Sequence, residues 1–116
     1  MLPRKYRLKK RAAFKATYKV KNSSHSGGVT LFAGILKKED YPTKVGFVVS
    51  KKVHKRAVKR NRLKRLMRES YRLLLKNGNL GNSQKYMSLI FVGSERALGK
   101  SFNEIDASIS KLLGRL

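Results

Sequence analysis

The side chains best suited to chemistry in this sequence are cations at helical spacing. Arg60, Asn61, Arg62, Lys64, Arg65, Arg68 and Arg72 follow one another closely. At 100° per residue, Asn61, Arg65, Arg68 and Arg72 gather on one side of a helix, with Lys64 beside them. Guanidinium forks suit bidentate contact with phosphate oxygens and base edges. Asn61 adds a group that donates and accepts at once, which contact with phosphate alone would not need. Like charges three and four residues apart each cost a helix about 0.2–0.5 kcal/mol. The blander reading is a solvated helix face, but a solvated face usually mixes the two signs. A row of one sign implies a polyanion that offsets the repulsion, and the face reads as a surface for structured RNA or DNA.

A second set of residues could hold unpaired bases. Phe14 and Tyr18 share one side of a basic helical segment, and Phe32 lies on the thinner face of a strand. Aromatic side chains beside cations form a platform for base stacking. The same residues serve equally well to pack that helix on a sheet, and the pattern alone does not separate the two.

Acid–base chemistry is thinly supplied. His25 sits in a Gly/Ser loop and His54 in a basic run, and neither has a carboxylate close in sequence. The six acids are Glu39, Asp40, Glu69, Glu95, Glu104 and Asp106, and cysteine is absent. There is no paired-carboxylate spacing, no Walker-type glycine loop and no zinc pattern, and the acids do not build a two-metal phosphodiesterase site. The chain does not read as a self-sufficient enzyme; any chemistry it serves resides in a partner.

The elements that must position these residues follow from periodicity. Residues 1–8 read as an unpacked basic arm, with Pro3 breaking any early helix. Residues 10–21 read as a helix, with Ala12, Ala13, Ala16 and Val20 opposite Phe14 and Tyr18. Residues 22–28 have loop composition. Strands are expected at 29–36 and 44–50, joined by a turn-like segment at 37–43. In the first, Val29, Leu31, Ala33 and Ile35 alternate with Thr30, Phe32, Gly34 and Leu36; in the second, Val45, Phe47 and Val49 alternate with Gly46, Val48 and Ser50. A long helix spans 57–76, with Leu63, Leu66, Met67, Ser70 and Leu74 as its docking stripe. Asn77-Gly78-Asn79 ends it, with Gly78 suited to a left-handed cap. A last strand at 86–92 and a helix at 102–113 complete a mixed α+β chain with one sheet.

Composition agrees. The 116 residues carry 29 Lys+Arg against 6 Asp+Glu, a net charge of +23. That length suits one domain, residues 1–116. Nine cations fall in residues 1–21 and twelve in residues 51–76, where Glu69 alone opposes them. Two separated blocks suggest two contact surfaces, or one assembled from both. No apolar run approaches the length of a membrane span and no apolar signal core follows the basic start, so the expected setting is the cytoplasm.

Arg60-Asn61-Arg62-Leu63-Lys64-Arg65-Leu66-Met67-Arg68-Glu69 resembles the signature of the protein component of bacterial ribonuclease P. Val48-Val49-Ser50-Lys51-Lys52 belongs to the same pattern, as does Arg7-Leu8-Lys9-Lys10-Arg11 with Phe14 and Tyr18 behind it. The resemblance covers most of the chain. It implies three helices and a single four-stranded sheet, in the order α-β-β-β-α-β-α, with a left-handed βαβ crossover. Residues 20–28, or a divided 29–36 strand, must then supply the fourth strand. It further implies a small partner of a large catalytic RNA which, with Mg²⁺ held mainly by that RNA, removes the 5′ leader of precursor tRNA by phosphodiester hydrolysis. The protein alone is then inactive. No membrane and no protein partner is implied.

The family's roles carry over by position. Lys51, Lys52, Arg60, Asn61, Arg62, Lys64, Arg65, Arg68 and Arg72 would face the catalytic RNA. Phe14, Tyr18, Thr30 and Phe32, with Val48 on the floor, would line a groove for the leader. The family often has a basic pair after the last strand, where this chain has Gly93-Ser94-Glu95 and only later Arg96. The rival from within RNA biology is a small basic ribosomal protein; the rival from outside it is a basic amphipathic protein of a membrane surface.

Overall fold

The computed structural model describes residues 2–116. Its elements run α1 (Arg11–Lys19), β1 (Asn22–Ser26), β2 (Val29–Ala33), β3 (Lys44–Val48), α2 (Ala57–Lys76), β4 (Ser88–Gly93) and α3 (Phe102–Gly114), with short 3-10 turns at Arg4–Tyr6, Gly81–Lys85 and Glu95–Ala97. This is the expected α-β-β-β-α-β-α order. The four strands form one mixed sheet in the order β1-β2-β4-β3. β1 and β4 pair antiparallel with β2, while β3 runs parallel to β4. A parallel neighbour needs a crossover, and α2 supplies it.

The registers assign the two faces of the sheet. Val29, Leu31 and Ala33 of β2 stand beside Gly93, Phe91 and Leu89 of β4, which in turn stand beside Val45 and Phe47 of β3. This face is the core. α2 packs over β3 and β4, and α3 over β1 and β2. Leu63, Met67, Ser70 and Tyr71 of α2 are buried, with Ile105, Ile109, Leu112 and Leu113 of α3. Ser70 donates a hydrogen bond to Asp106 Oδ1 at 2.7 Å and ties the two helices together. Phe47, Tyr71 and Phe91 form an aromatic cluster with ring centroids 5.7–6.2 Å apart. Burial raises the Tyr71 phenol to about 12, and its oxygen accepts from Gln84 Nε2 at 3.0 Å. α3 starts on a capping box between Ser101 and Glu104.

The opposite face carries α1, which packs across β2 and β4. Beneath it, Ser23–Phe32–Ile90–Gly46 form one cross-strand row and His25–Thr30–Val92–Val48 a second. Thr17 is the buried residue of α1. Its hydroxyl donates to the Ala13 carbonyl and shares a hydrogen bond with Ser88 Oγ.

Four expectations are corrected. The segment 22–28 is a hairpin, not a loop: β1 is the fourth strand, and Gly27 and Gly28 turn it at φ 59° and 88°, in the left-handed region that favours glycine. The basic arm is packed. Leu2 and Leu8 are buried, and Leu8 N–H donates to the Val45 carbonyl along the open edge of β3. β2 stops at Ala33, so Ile35 leaves the core face and is 52% exposed. The stripe of α2 includes Tyr71, one turn beyond Met67, which the expected set lacked. Gly78 takes the left-handed cap at φ 70° as expected.

Candidate nucleic-acid interface

α2 is buried on one side and presents its cations on the other. Asn61, Arg62, Lys64, Arg65 and Arg68, with the 78% exposed Val58, line an open recess of about 500 Å³. Val58 was not among the expected residues; its position one turn before Arg62 is the signal that places it there. Arg65 and Arg68 have no carboxylate partner, since the one ion pair among the described residues joins Arg72 to Glu69. Arg72 donates to both Glu69 oxygens, and this hydrogen bonding holds the Glu69 carboxyl below its ordinary range. Arg72 is thus engaged within the helix and lies outside the recess. Arg62 donates to the Lys100 carbonyl at 3.2 Å, bracing α2 against the approach to α3. Arg60 is half-buried beside the recess, and its Nε has no hydrogen-bond partner among the described residues. Lys51 and Lys52 are exposed in the turn that follows β3.

The groove residues meet on the other face. Tyr18 and Phe32 touch edge to face, with centroids 4.9 Å apart. Tyr18 is 36% exposed, and partial burial raises its phenol pKa. The Phe14 ring reaches Gly46 with its tip: a Cβ there would fall 2.5 Å from Phe14 Cζ. Thr30 and Val48 flank Val92 in the second cross-strand row, half-buried, and form a floor beside these rings. Phe14 therefore packs α1 on the sheet, beside the Tyr18–Phe32 pair. At the corner after β4, the Ser94 hydroxyl and N–H both donate to the Gly28 carbonyl, and the Lys100 ammonium donates to the neighbouring Gly27 carbonyl at 2.9 Å. Among the described residues no three His, Asp or Glu side chains cluster closely enough to hold a metal ion, and no helix is long and apolar enough to cross a membrane.

One α1-covered sheet with an outward basic helix defines a compact basic α+β class, and the comparisons identify the family. The family model for ribonuclease P matches residues 2–116. The ribonuclease P protein component of Clostridium kluyveri is 37% identical over 108 residues, covering 93% of this chain and 91% of that one. The structure of the Staphylococcus aureus RNase P protein superposes with a TM-score of 0.77 at 26% identity, covering 95% of this chain and 94% of that one. A mutant of the S. aureus protein described as having defective mRNA degradation activity superposes at 0.76, also 26% identical, over 95% and 86%. The chain belongs to the ribonuclease P protein family. Members are protein subunits of a ribonucleoprotein endoribonuclease that processes the 5′ end of tRNA, and the ribosomal alternative is not favoured.

Proposed function

We infer that this chain, as one domain over residues 1–116, joins two RNAs through opposite faces of its sheet. The α2 recess takes the catalytic RNA, with Asn61, Lys64, Arg65 and Arg68 as principal contacts and Lys51, Lys52, Arg60 and Arg62 at its margins. Arg72 contributes less, because Glu69 already occupies its fork. The groove of Phe14, Tyr18, Thr30, Phe32 and Val48 takes the 5′ leader of precursor tRNA. The observation that carries this reading is the row of unpaired guanidiniums held outward by a helix whose opposite side buries Leu63, Met67, Ser70 and Tyr71.

The Mg²⁺ needed for the hydrolysis is held mainly by the RNA subunit; among the described residues no His, Asp or Glu cluster is placed to hold a metal ion. Its cations lower the repulsion between the two RNAs, so that less Mg²⁺ is needed for them to associate. The setting is the cytoplasm. The test compares binding of precursor and mature tRNA to the reconstituted holoenzyme. Phe32→Ala should weaken the precursor alone, by about 5- to 150-fold if one base loses its platform. Arg65→Ala should instead weaken assembly with the catalytic RNA. Equal losses of precursor and mature tRNA for Phe32→Ala would refute the leader groove.

A further inference from the structure

α1 has a second flank that the groove does not use. Phe14 and Tyr18 border the groove, whereas Ala13, Ala16 and Thr17 turn to an apolar recess of about 450 Å³ closed on its far side by Ile35, Tyr41 and Met87. That volume lies in the range of small-molecule sites. Three large apolar side chains stand exposed around it: Tyr41 at 56%, Ile35 at 52% and Met87 at 42%. Solvent-exposed aromatic and thioether groups grouped about a concavity mark a binding surface more often than scattered ones do.

A smaller recess of about 280 Å³ adjoins it and shares Leu8, Ala13 and Lys44 with it. Its other lining residues are Arg4, Arg7, Lys9 and Lys10, so five cations converge there and no acid lines either recess. Among the described residues none of the five has a carboxylate partner. Arg7 is held in place by donating from Nε to the Leu2 carbonyl at 2.7 Å, its one side-chain hydrogen bond among the described residues. The uncapped start of α1, with no acid in its first turn, adds the positive end of a helix to the same corner. Two acids stand on the 37–43 loop, where Glu39 accepts from the Tyr41 hydroxyl at 2.6 Å and Asp40 follows it in sequence. They sit beyond Tyr41, on the side of the apolar recess, and not among the five cations' lining residues.

An apolar slot with an aromatic wall, opening directly into a cluster of uncompensated cations, matches a ligand that carries a flat ring next to an anion. We propose that this pair of recesses binds one unpaired nucleotide of the leader, with its base against Tyr41 and Met87 and its phosphate among Arg7, Lys10 and Lys44. The assignment rests on the leader reading of the groove. Continuity favours it: Leu8 and Phe14 both cover Gly46, so the new recess begins where the groove ends. A strand leaving the groove past Phe14 rounds the start of α1 and meets the cations first. The nucleotide is therefore one beyond those stacked in the groove.

The test uses the reconstituted holoenzyme and precursor tRNAs whose leaders increase in length one nucleotide at a time. Tyr41→Ala and the double variant Lys10→Ala/Lys44→Ala are compared with Phe32→Ala, each checked by thermal melting. Tyr41 is exposed and bonds only to Glu39, so its truncation spares the core. The parent should gain affinity in two steps as the leader lengthens. Both new-site variants should lose the second step, by about tenfold, and Phe32→Ala the first. If Tyr41→Ala keeps both steps while Phe32→Ala loses one, the second site is refuted and the groove stands. If Phe32→Ala keeps both steps and Tyr41→Ala loses one, the groove reading fails instead. A loss of affinity for the catalytic RNA in Tyr41→Ala, or displacement by oligoglutamate and not by oligouridylate, would overturn the leader assignment.

Discussion

Gly46 is the position where a single methyl group tests both the packing of α1 and the groove. A Cβ at residue 46 would stand 2.5 Å from Phe14 Cζ and 2.6 Å from Cε1, with Leu8 Cβ at an ordinary 3.5 Å. Carbon atoms pack best at about 3.5–4.0 Å, so in Gly46→Ala the Phe14 ring must lift by about 1 Å. The strand yields less readily, because β3 is paired to β4 through Gly46 and Ile90 on one side and held by the Leu8 N–H to the Val45 carbonyl on the other. The ring yields first, because it sits on a helix held by little else than Thr17 and Tyr18. Overpacking of this kind costs about 1–3 kcal/mol, and for a chain near this length each kcal/mol lowers the melting temperature by about 4–8 °C. Gly46→Ala should therefore melt about 5–20 °C lower. It should also bind precursor tRNA several-fold more weakly while holding mature tRNA as the parent does, because a lifted Phe14 no longer borders the groove. Shortening the ring in Gly46→Ala/Phe14→Leu should restore part of the stability, a coupling that a cycle of the four proteins measures directly. An unchanged melt for Gly46→Ala, or losses that simply add in the double variant, would refute this account of how α1 is seated.

The α2 face should respond to salt. If about six to ten phosphates are neutralised, affinity for the catalytic RNA should fall by about three to five decades between about 50 and 200 mM salt, and a flat response would remove α2 as a contact. Arg65→Ala and Arg68→Ala should each reduce that slope by about one contact without shifting the melt, whereas Arg72→Ala should matter less for binding, since it frees Glu69 rather than a phosphate. RNA-free protein should not cleave precursor tRNA, which rigorous purification and a single-turnover assay would check. Ser101→Ala should lower the melting temperature by removing the cap of α3. Glu104 is held below its ordinary range chiefly by the Ser101 backbone hydrogen bond, which Ser101→Ala keeps, and next by the Ser101 hydroxyl, which Ser101→Ala removes. The cap contact is accordingly worth most above the unfolded carboxyl's pKa and fades as pH falls below it. The difference between Ser101→Ala and the parent, read from melts across acid pH, should narrow in that direction.

How much of this was legible in the sequence depended on whether an element carried its own apolar signal. α2 was read to its observed ends because its stripe and its terminal Gly78 are local features. β1 was not, because Asn22, Ser23 and His25 sit on an exposed edge strand and the chain spends no apolar residue there. Only the Gly27-Gly28 pair marked the hairpin, and it looks the same in a loop. The seat of the N-terminal segment was invisible for a different reason: Leu2 and Leu8 are buried by an edge of β3 that lies some forty residues away. The basic residues around them looked like a free arm because the packing partner is not local. This correction bears on function. The two cationic blocks, which composition left as either two surfaces or one, lie with α1 on one side of the sheet and with α2 on the other. A four-stranded sheet thus separates them, and no charged side chain is buried in its core; the half-buried Asp106 accepts from the neutral Ser70 hydroxyl at the helix seam. On the proposed reading, in which RNA is held on both sides, the sheet keeps the two sets of cations apart, and Lys51 and Lys52 lie in the turn just beyond the end of β3.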